Sequence, residues 1–114
     1  MLSIDALNAM GADTGEGLGR CFGNEEFYLK LVRAVPDETS FDALRSALDQ
    51  GDKKAAFDAA HALKGVLSNL ALTPLSEPAV EITENLRAEK DMDYEPLMAK
   101  LMEERQKLKE LCES

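Results

Sequence analysis

The chain has 114 residues, 13 basic and 22 acidic, for a formal net charge of −9 at neutral pH. That length makes one domain, large enough to bury roughly two-thirds of its unfolded surface. The acidic balance argues against nucleic acid and anionic membranes as partners, because both are bound through basic patches.

A soluble cytoplasmic protein fits this composition. No apolar run approaches the ~20 residues of a membrane span, and the N-terminus lacks the charged and apolar regions of a secretory signal. The opening Met suggests a free-standing chain. Cys21 and Cys112 lack CxxC spacing and read as idle reduced thiols, with a disulfide or redox role as the alternative.

In chain order, residues 3–10 predict a short helix with Ser3 as N-cap, Ile4, Leu7 and Met10 facing inward, and Gly11 as its end. Residues 11–23 hold five of the seven glycines. They lack the Lys-Ser/Thr of a phosphate-binding loop and follow no strand, and Glu16 would repel phosphate, so a turn with a short helix is expected. Asn24 caps the next helix, with Glu25 and Glu26 in its first turn. This helix runs through Phe27, Leu31 and Ala34 until Pro36 stops it. Ser40 caps another, with Phe41, Leu44, Ala47 and Leu48 at helical spacing. Gly51 closes that helix, and Asp52 caps the one after it.

Residues 56–70 contain the chain's single histidine. At about 100° per residue, Ala56, Ala60, Leu63, Leu67 and Leu70 fall within a stripe roughly 80° wide, which is core. His61, Lys64, Gly65 and Ser68 collect on the opposite side in a similarly narrow sector. Imidazole in its neutral form is a good nucleophile. Lys64, three residues on, is a helical neighbour with Cβ atoms about 5–6 Å apart. Gly65 costs roughly 1 kcal/mol relative to Ala in mid-helix, so something must approach the backbone there. Phe57 lies beside this face and reads either as an apolar contact for a partner or as core. Asp58 either hydrogen-bonds the imidazole or is a solvated surface charge.

Thr73 then caps a helix with Pro74 at its first helical position, and Leu75, Val80 or Ala79, Ile82 or Thr83, and Leu86 form its apolar face to about Ala88. Residues 89–93 are a polar turn. A last helix over about 94–112 tolerates Pro96 in its first turn and turns Leu97, Met98, Leu101, Met102, Leu108 and Leu111 inward. Glu81, Glu84 and Glu89 read as a wet helix face. A di-iron bundle would need Glu-x-x-His motifs on two helices, which one histidine cannot supply, so no metal site is expected. No strand alternation or repeat is present. The expected fold is all-α: an antiparallel up-down four-helix bundle with one or two short extra N-terminal helices, spanning residues 1–114 as a single domain.

His61-Ala62-Leu63-Lys64-Gly65, followed by Asn69-Leu70, resembles the signature of the histidine-containing phosphotransfer (HPt) family. The segment Gly17 to Tyr28 is similar to that family's opening segment, and Gly51-Asp52 to its break before the histidine helix. The resemblance covers about residues 15–75 and continues beyond them only in helical character. Small residues are usual in the family at the positions of Val66 and Leu67, and Gly at that of Ala71.

The resemblance implies a phosphocarrier without independent catalytic activity in a multistep His–Asp relay of two-component signalling. His61 would accept a phosphoryl group at Nε2 from the phospho-aspartate of a response-regulator receiver domain, including one carried by a hybrid histidine kinase, and pass it to a second receiver. No cofactor is implied on this chain, and Mg²⁺ is expected on the receiver. Lys64 would balance the phosphoryl charge. Coulomb's law gives ~4 kcal/mol at 4 Å and an effective dielectric of ~20, which exposure reduces to ~1 kcal/mol or less. Gly65, Ser68 and Phe57 would meet the partner, and a monomer is expected.

Two other readings compete. One is an HPt-like helical module that binds a receiver or kinase without carrying phosphate, against which His61, Lys64 and Gly65 stand together. The other is a small-molecule or metal-binding bundle enzyme, which the residue inventory disfavours.

Overall fold

The computed structural model describes residues 1–113, and within them every regular element is helical. In order these are α1 (Ile4–Met10), α2 (Thr14–Arg20), α3 (Glu25–Ala34), α4 (Ser40–Asp49), α5 (Lys53–Asn69), α6 (Thr73–Arg87) and α7 (Glu95–Glu113), with one 3₁₀ turn at Val35–Asp37 between α3 and α4. Helix α5 packs against α4 on one side and α6 on the other, and α6 packs in turn against α7. Arg105 of α7 closes the circuit by donating to the Pro36 carbonyl and lying 4.6 Å over the Phe41 ring of α4. One apolar cluster runs through all of them, with Leu7, Tyr28, Val32, Phe41, Leu44, Leu63, Leu67, Leu75, Ile82, Met98, Leu101 and Leu108 fully buried.

Most helix starts follow local capping chemistry. Ser3, Asn24 and Asp52 each accept a backbone N–H from the first turn of their helix, as their sequence positions predict, and Asp13 does the same for α2. Two starts differ. Ser40 is already helical, and the Glu38 carboxylate takes both its N–H (3.4 Å) and its hydroxyl proton (3.1 Å). Thr73 is also helical. The preceding turn ends at Leu72, whose carbonyl accepts from Leu75 and Ser76, so Leu72 occupies the cap position without a side-chain bond.

Five helix ends share a second device. After α1, α2, α4, α5 and α6 the chain turns left-handed, at one residue or, after α2, at two, with the first such N–H returning to the helix three residues back and the next N–H five residues back. Gly11 and Gly51 occupy the first such position at two of these ends, but Phe22 (φ 59°), Ala71 (φ 54°) and Glu89 (φ 54°) occupy it at the other three.

Helix α3 buries the stripe beside the apolar row through which it runs in sequence. Tyr28 and Val32 are fully buried, with Val35 continuing the line, whereas Phe27, Leu31 and Ala34 lie a step around the helix toward solvent. The cause is a lock at the bundle end. The Tyr28 hydroxyl donates to the Leu70 carbonyl at 2.8 Å, and its burial pushes the hydroxyl pKa up, so it stays a donor. The ring lies against Gly17, where an added Cβ would sit 2.5 Å from Tyr28 Cε1 and 2.8 Å from Leu70 O. That close approach accounts for at least one glycine of the Gly-rich segment, which forms α2 and a turn.

Helices α6 and α7 carry features that apolar spacing did not reveal. Pro78 sits inside α6 and is buried. Thr83 is buried too, its hydroxyl donating to the Ala79 carbonyl at 2.7 Å. Glu104 is only 4% exposed on the inner side of α7, held by Lys100 at 2.9 Å and Lys107 at 3.3 Å. Burial pushes its carboxyl pKa up, and the two ammonium groups outweigh that to leave it below the usual range. Cys21 is buried and Cys112 half-buried, and both are free thiols. Among the described residues no helix is long and apolar enough to cross a membrane.

Candidate functional site

The site grows out of α5. Ala56, Ala60, Leu63 and Leu67 have no exposed surface and Leu70 almost none, so the inner stripe is pinned to the core. Pinning one face fixes the direction of the other. His61 and Gly65 are exposed on that outer face, with Lys64 and Ser68 half-buried beside them.

The imidazole is supported from the preceding turn. Phe57 is half-buried, and its ring stacks on His61 with centroids 5.7 Å apart and planes 20° apart. The Arg87 guanidinium of α6 covers the same Phe57 ring at 5.1 Å. Phe57 packs against the core, one of the two readings its position left open, and it also flanks the histidine. Asp58 is exposed and makes no hydrogen bond or ion pair with His61.

Lys64 does not stand alone. Its ammonium lies 3.5 Å from the Glu84 carboxylate of α6, and Arg87 approaches the other oxygen of that carboxylate at 3.3 Å. Glu84 thus belongs to the site's surroundings rather than to a featureless wet face. Sequence reasoning missed Glu84 and Arg87 because their place depends on the register of α6 against α5. The only local hint was their i, i+3 spacing, which marks one helix face.

Gly65 faces open space. Among the described residues no atom other than its chain neighbours and the helix's own backbone lies within 4 Å of where a Cβ would be. Alanine would fit there and suit a helix better by about 1 kcal/mol, so packing within the chain does not explain the glycine. From Gly65 a groove runs between α5 and α3, lined by Val66 and Asn69 on one side and Leu31, Ala34 and Val35 on the other. One turn further along α5, the Ser68 carbonyl accepts a bond from Arg20, which also pairs with Glu16. The C-terminal end of α2 therefore forms the rim of this face.

An exposed nucleophile with a cation on the next turn and a vacant approach beside it suits attack on an electrophile brought by another molecule. Among the described residues no group of three or more His, Cys, Asp or Glu side chains is placed to hold a metal ion.

The Hpt domain family model matches residues 37–113, and the chain belongs to that family. The match takes in α4 to α7, including the two C-terminal helices that resembled the family only in helical character, and it begins after the Gly17–Tyr28 segment. No curated protein and no solved structure matches the chain. Hpt domains are histidine phosphocarrier modules of two-component phosphorelays and interact with receiver domains.

Proposed function

We propose that this chain is a phosphorelay intermediate in which His61 carries the phosphoryl group between receiver-domain aspartates. The observation that carries the reading is the single imidazole standing exposed in mid-helix, backed by a fully buried stripe, within a chain of the Hpt family. The Nε2 lone pair attacks phosphorus in line, a P–N bond forms, and the P–O bond to the receiver's aspartate breaks to return a carboxylate. The ring keeps its proton on Nδ1. Transfer onward reverses these bonds on a second receiver.

Each neighbour has a part in that step. Phe57 holds the ring by stacking. Lys64 and Arg87 supply positive charge, shared with Glu84 until phosphate arrives. Gly65 leaves room for a receiver loop, and Ser68 lies further along the docking face. In-line phosphoryl transfer depends on positioning and charge neutralisation, so the Mg²⁺ and most of the electrostatics are assigned to the receiver. The chain has no activity of its own in this reading.

The fold reading sharpens in the same direction. Lys64 meets Glu84, Phe57 meets Arg87 and Lys53 meets Asp91, so the sequence numbers fall on one side as they rise on the other. Asp42 and Arg45 of α4 reach Arg105 and Glu95 of α7 in the same reversed order. We infer an antiparallel four-helix bundle of α4 to α7 with α1 to α3 packed at its margin, residues 1–114 acting as one cytoplasmic, monomeric domain.

The test is incubation with a phosphorylated receiver domain, comparing wild type with His61→Gln. Acid-labile, base-stable label is expected on the wild type alone, with the same melting temperature for both. Label on the variant would remove His61 as acceptor. Tight receiver binding by an unlabelled wild type would favour a binding module that carries no phosphate.

A further inference from the structure

Glu84 puts a negative charge where a phosphoryl carrier needs positive ones. Its carboxylate lies on α6 between the two cations of the site, one oxygen 3.5 Å from the Lys64 ammonium and the other 3.3 Å from Arg87 Nε. Lys64 stands one helical turn from His61 on the same face of α5. Arg87 covers the Phe57 ring at 5.1 Å, and that ring stacks on the imidazole at 5.7 Å. One carboxylate thus engages both positive groups that border the acceptor. The Glu84 and Arg87 side chains are half-exposed and that of Lys64 about a third exposed. Ion pairs so open to water add little to fold stability, so the needs of the fold do not account for a carboxylate in this place.

The charges give it a consequence for the carrier. In the bare site Lys64 and Arg87 against Glu84 leave one positive charge. A phosphoryl group adds close to two negative charges at neutral pH. Once it is on His61, the phosphoryl oxygens and the Glu84 carboxylate compete for the same two cations and repel each other. Without Glu84 those cations would balance the phosphoryl group. A group that interacts differently with two states shifts the equilibrium between them by that difference. Glu84 therefore favours the bare imidazole over the phosphorylated one. Glu81, one turn earlier on α6, lines a separate groove against α7 with Thr73, Leu97 and Lys100, so its charge does not act in the same way.

We propose that Glu84 sets the phosphoryl-transfer potential of His61: it withholds Lys64 and Arg87 from the phosphorylated imidazole and so keeps the group ready to leave. This rests on the reading of His61 as acceptor. Glu84 acts through the two cations and is a positioning residue. A carrier whose cations were free would hold its phosphoryl group more firmly and pass it on less readily.

The experiment compares wild type, Glu84→Gln and Glu81→Gln, each as the full chain, pairwise in one shared pool of phosphoramidate and ammonia. Nε2 of His61 bonds to phosphorus, the P–N bond of phosphoramidate breaks, and ammonia leaves with the proton; the reverse step regenerates the donor. Uniform ¹⁵N labelling of one partner lets intact mass separate the two phosphorylated fractions, which are read once their ratio is constant. The odds of phosphorylation should be about threefold higher for Glu84→Gln than for wild type in ~10 mM salt, and the ratio should approach one in ~1 M salt, where exposed charges are screened. Glu81→Gln removes the same charge elsewhere on α6 and should match wild type. The melting temperatures of all three should agree closely.

Equal odds for Glu84→Gln and wild type at low salt overturn the proposal. So does a gain that Glu81→Gln shares, which would be an effect of net charge alone, or one that persists at high salt, which would be an effect of packing. Lower odds for Glu84→Gln would make the carboxylate a support of the phosphorylated state and equally overturn it. A wild type that takes no label removes His61 as acceptor and the proposal with it, whereas a labelled wild type that Glu84→Gln merely equals removes the proposal alone.

Discussion

The inner stripe of α5 and its outer face share the same 17 residues and answer to different demands. On the inner side Ala56 and Ala60, then Leu63 and Leu67, have no exposed surface and pack against α4 and α6. On the outer side a histidine, a lysine and a glycine stand where nothing in the chain demands them, and the glycine costs helix stability. Stability and function are thus divided around one helix axis. A substitution should disturb one and spare the other according to the side it falls on.

The largest break in that contrast is expected from the inner face. Leu63→Ala removes a fully buried side chain and should destabilise the fold by about 2–5 kcal/mol, measured by denaturant unfolding. Any loss of phosphotransfer should follow the unfolded fraction. A loss of transfer in a fully folded Leu63→Ala protein would mean that the two faces are coupled after all.

Gly65→Gln tests the opposite side. The space before Gly65 is open, so the variant should fold as well as wild type or slightly better, by up to about 1 kcal/mol. Phosphotransfer from a receiver should nevertheless slow by about tenfold or more, because a side chain now stands in the approach. An unchanged rate would show that no receiver loop comes close there.

The smallest effect belongs to Lys64. Its ammonium is half-exposed and already shared with Glu84, so Lys64→Ala should reduce the transfer rate by about fivefold or less, in line with ~1 kcal/mol for an exposed pair. The melting temperature should barely move. A loss as complete as that of His61→Gln would make the lysine indispensable rather than supporting.

The contrast also explains what the sequence disclosed. Features set by neighbours along the chain were legible: the Ser3, Asn24 and Asp52 caps, the Gly11 and Gly51 ends, the α5 stripe and the outward direction of His61. Features set by packing between distant segments were not. Helix α3 buries Tyr28, Val32 and the adjoining Val35 rather than the neighbouring Phe27–Leu31–Ala34 row because Tyr28 reaches Leu70, 42 residues away. Glu84 and Arg87 join the histidine's surroundings only through the register between α5 and α6. Glu104 entered the buried side of α7 because Lys100 and Lys107 neutralise it, an arrangement that an apolar pattern cannot register. Ser40 does not cap α4 because it is already helical, and the Glu38 carboxylate accepts from both its N–H and its hydroxyl.

The central claim concerns one nitrogen atom, and the chain contains a single imidazole on which to test it. The direct measurement is a ¹H–¹⁵N spectrum of the histidine ring before and after exposure to a phosphorylated receiver, alongside the ³¹P spectrum of the product. The account predicts a phosphorus resonance in the phosphoramidate range, with Nε2 of His61 shifted and coupled to phosphorus. A phosphorylated chain whose imidazole signals stay where they were would contradict it.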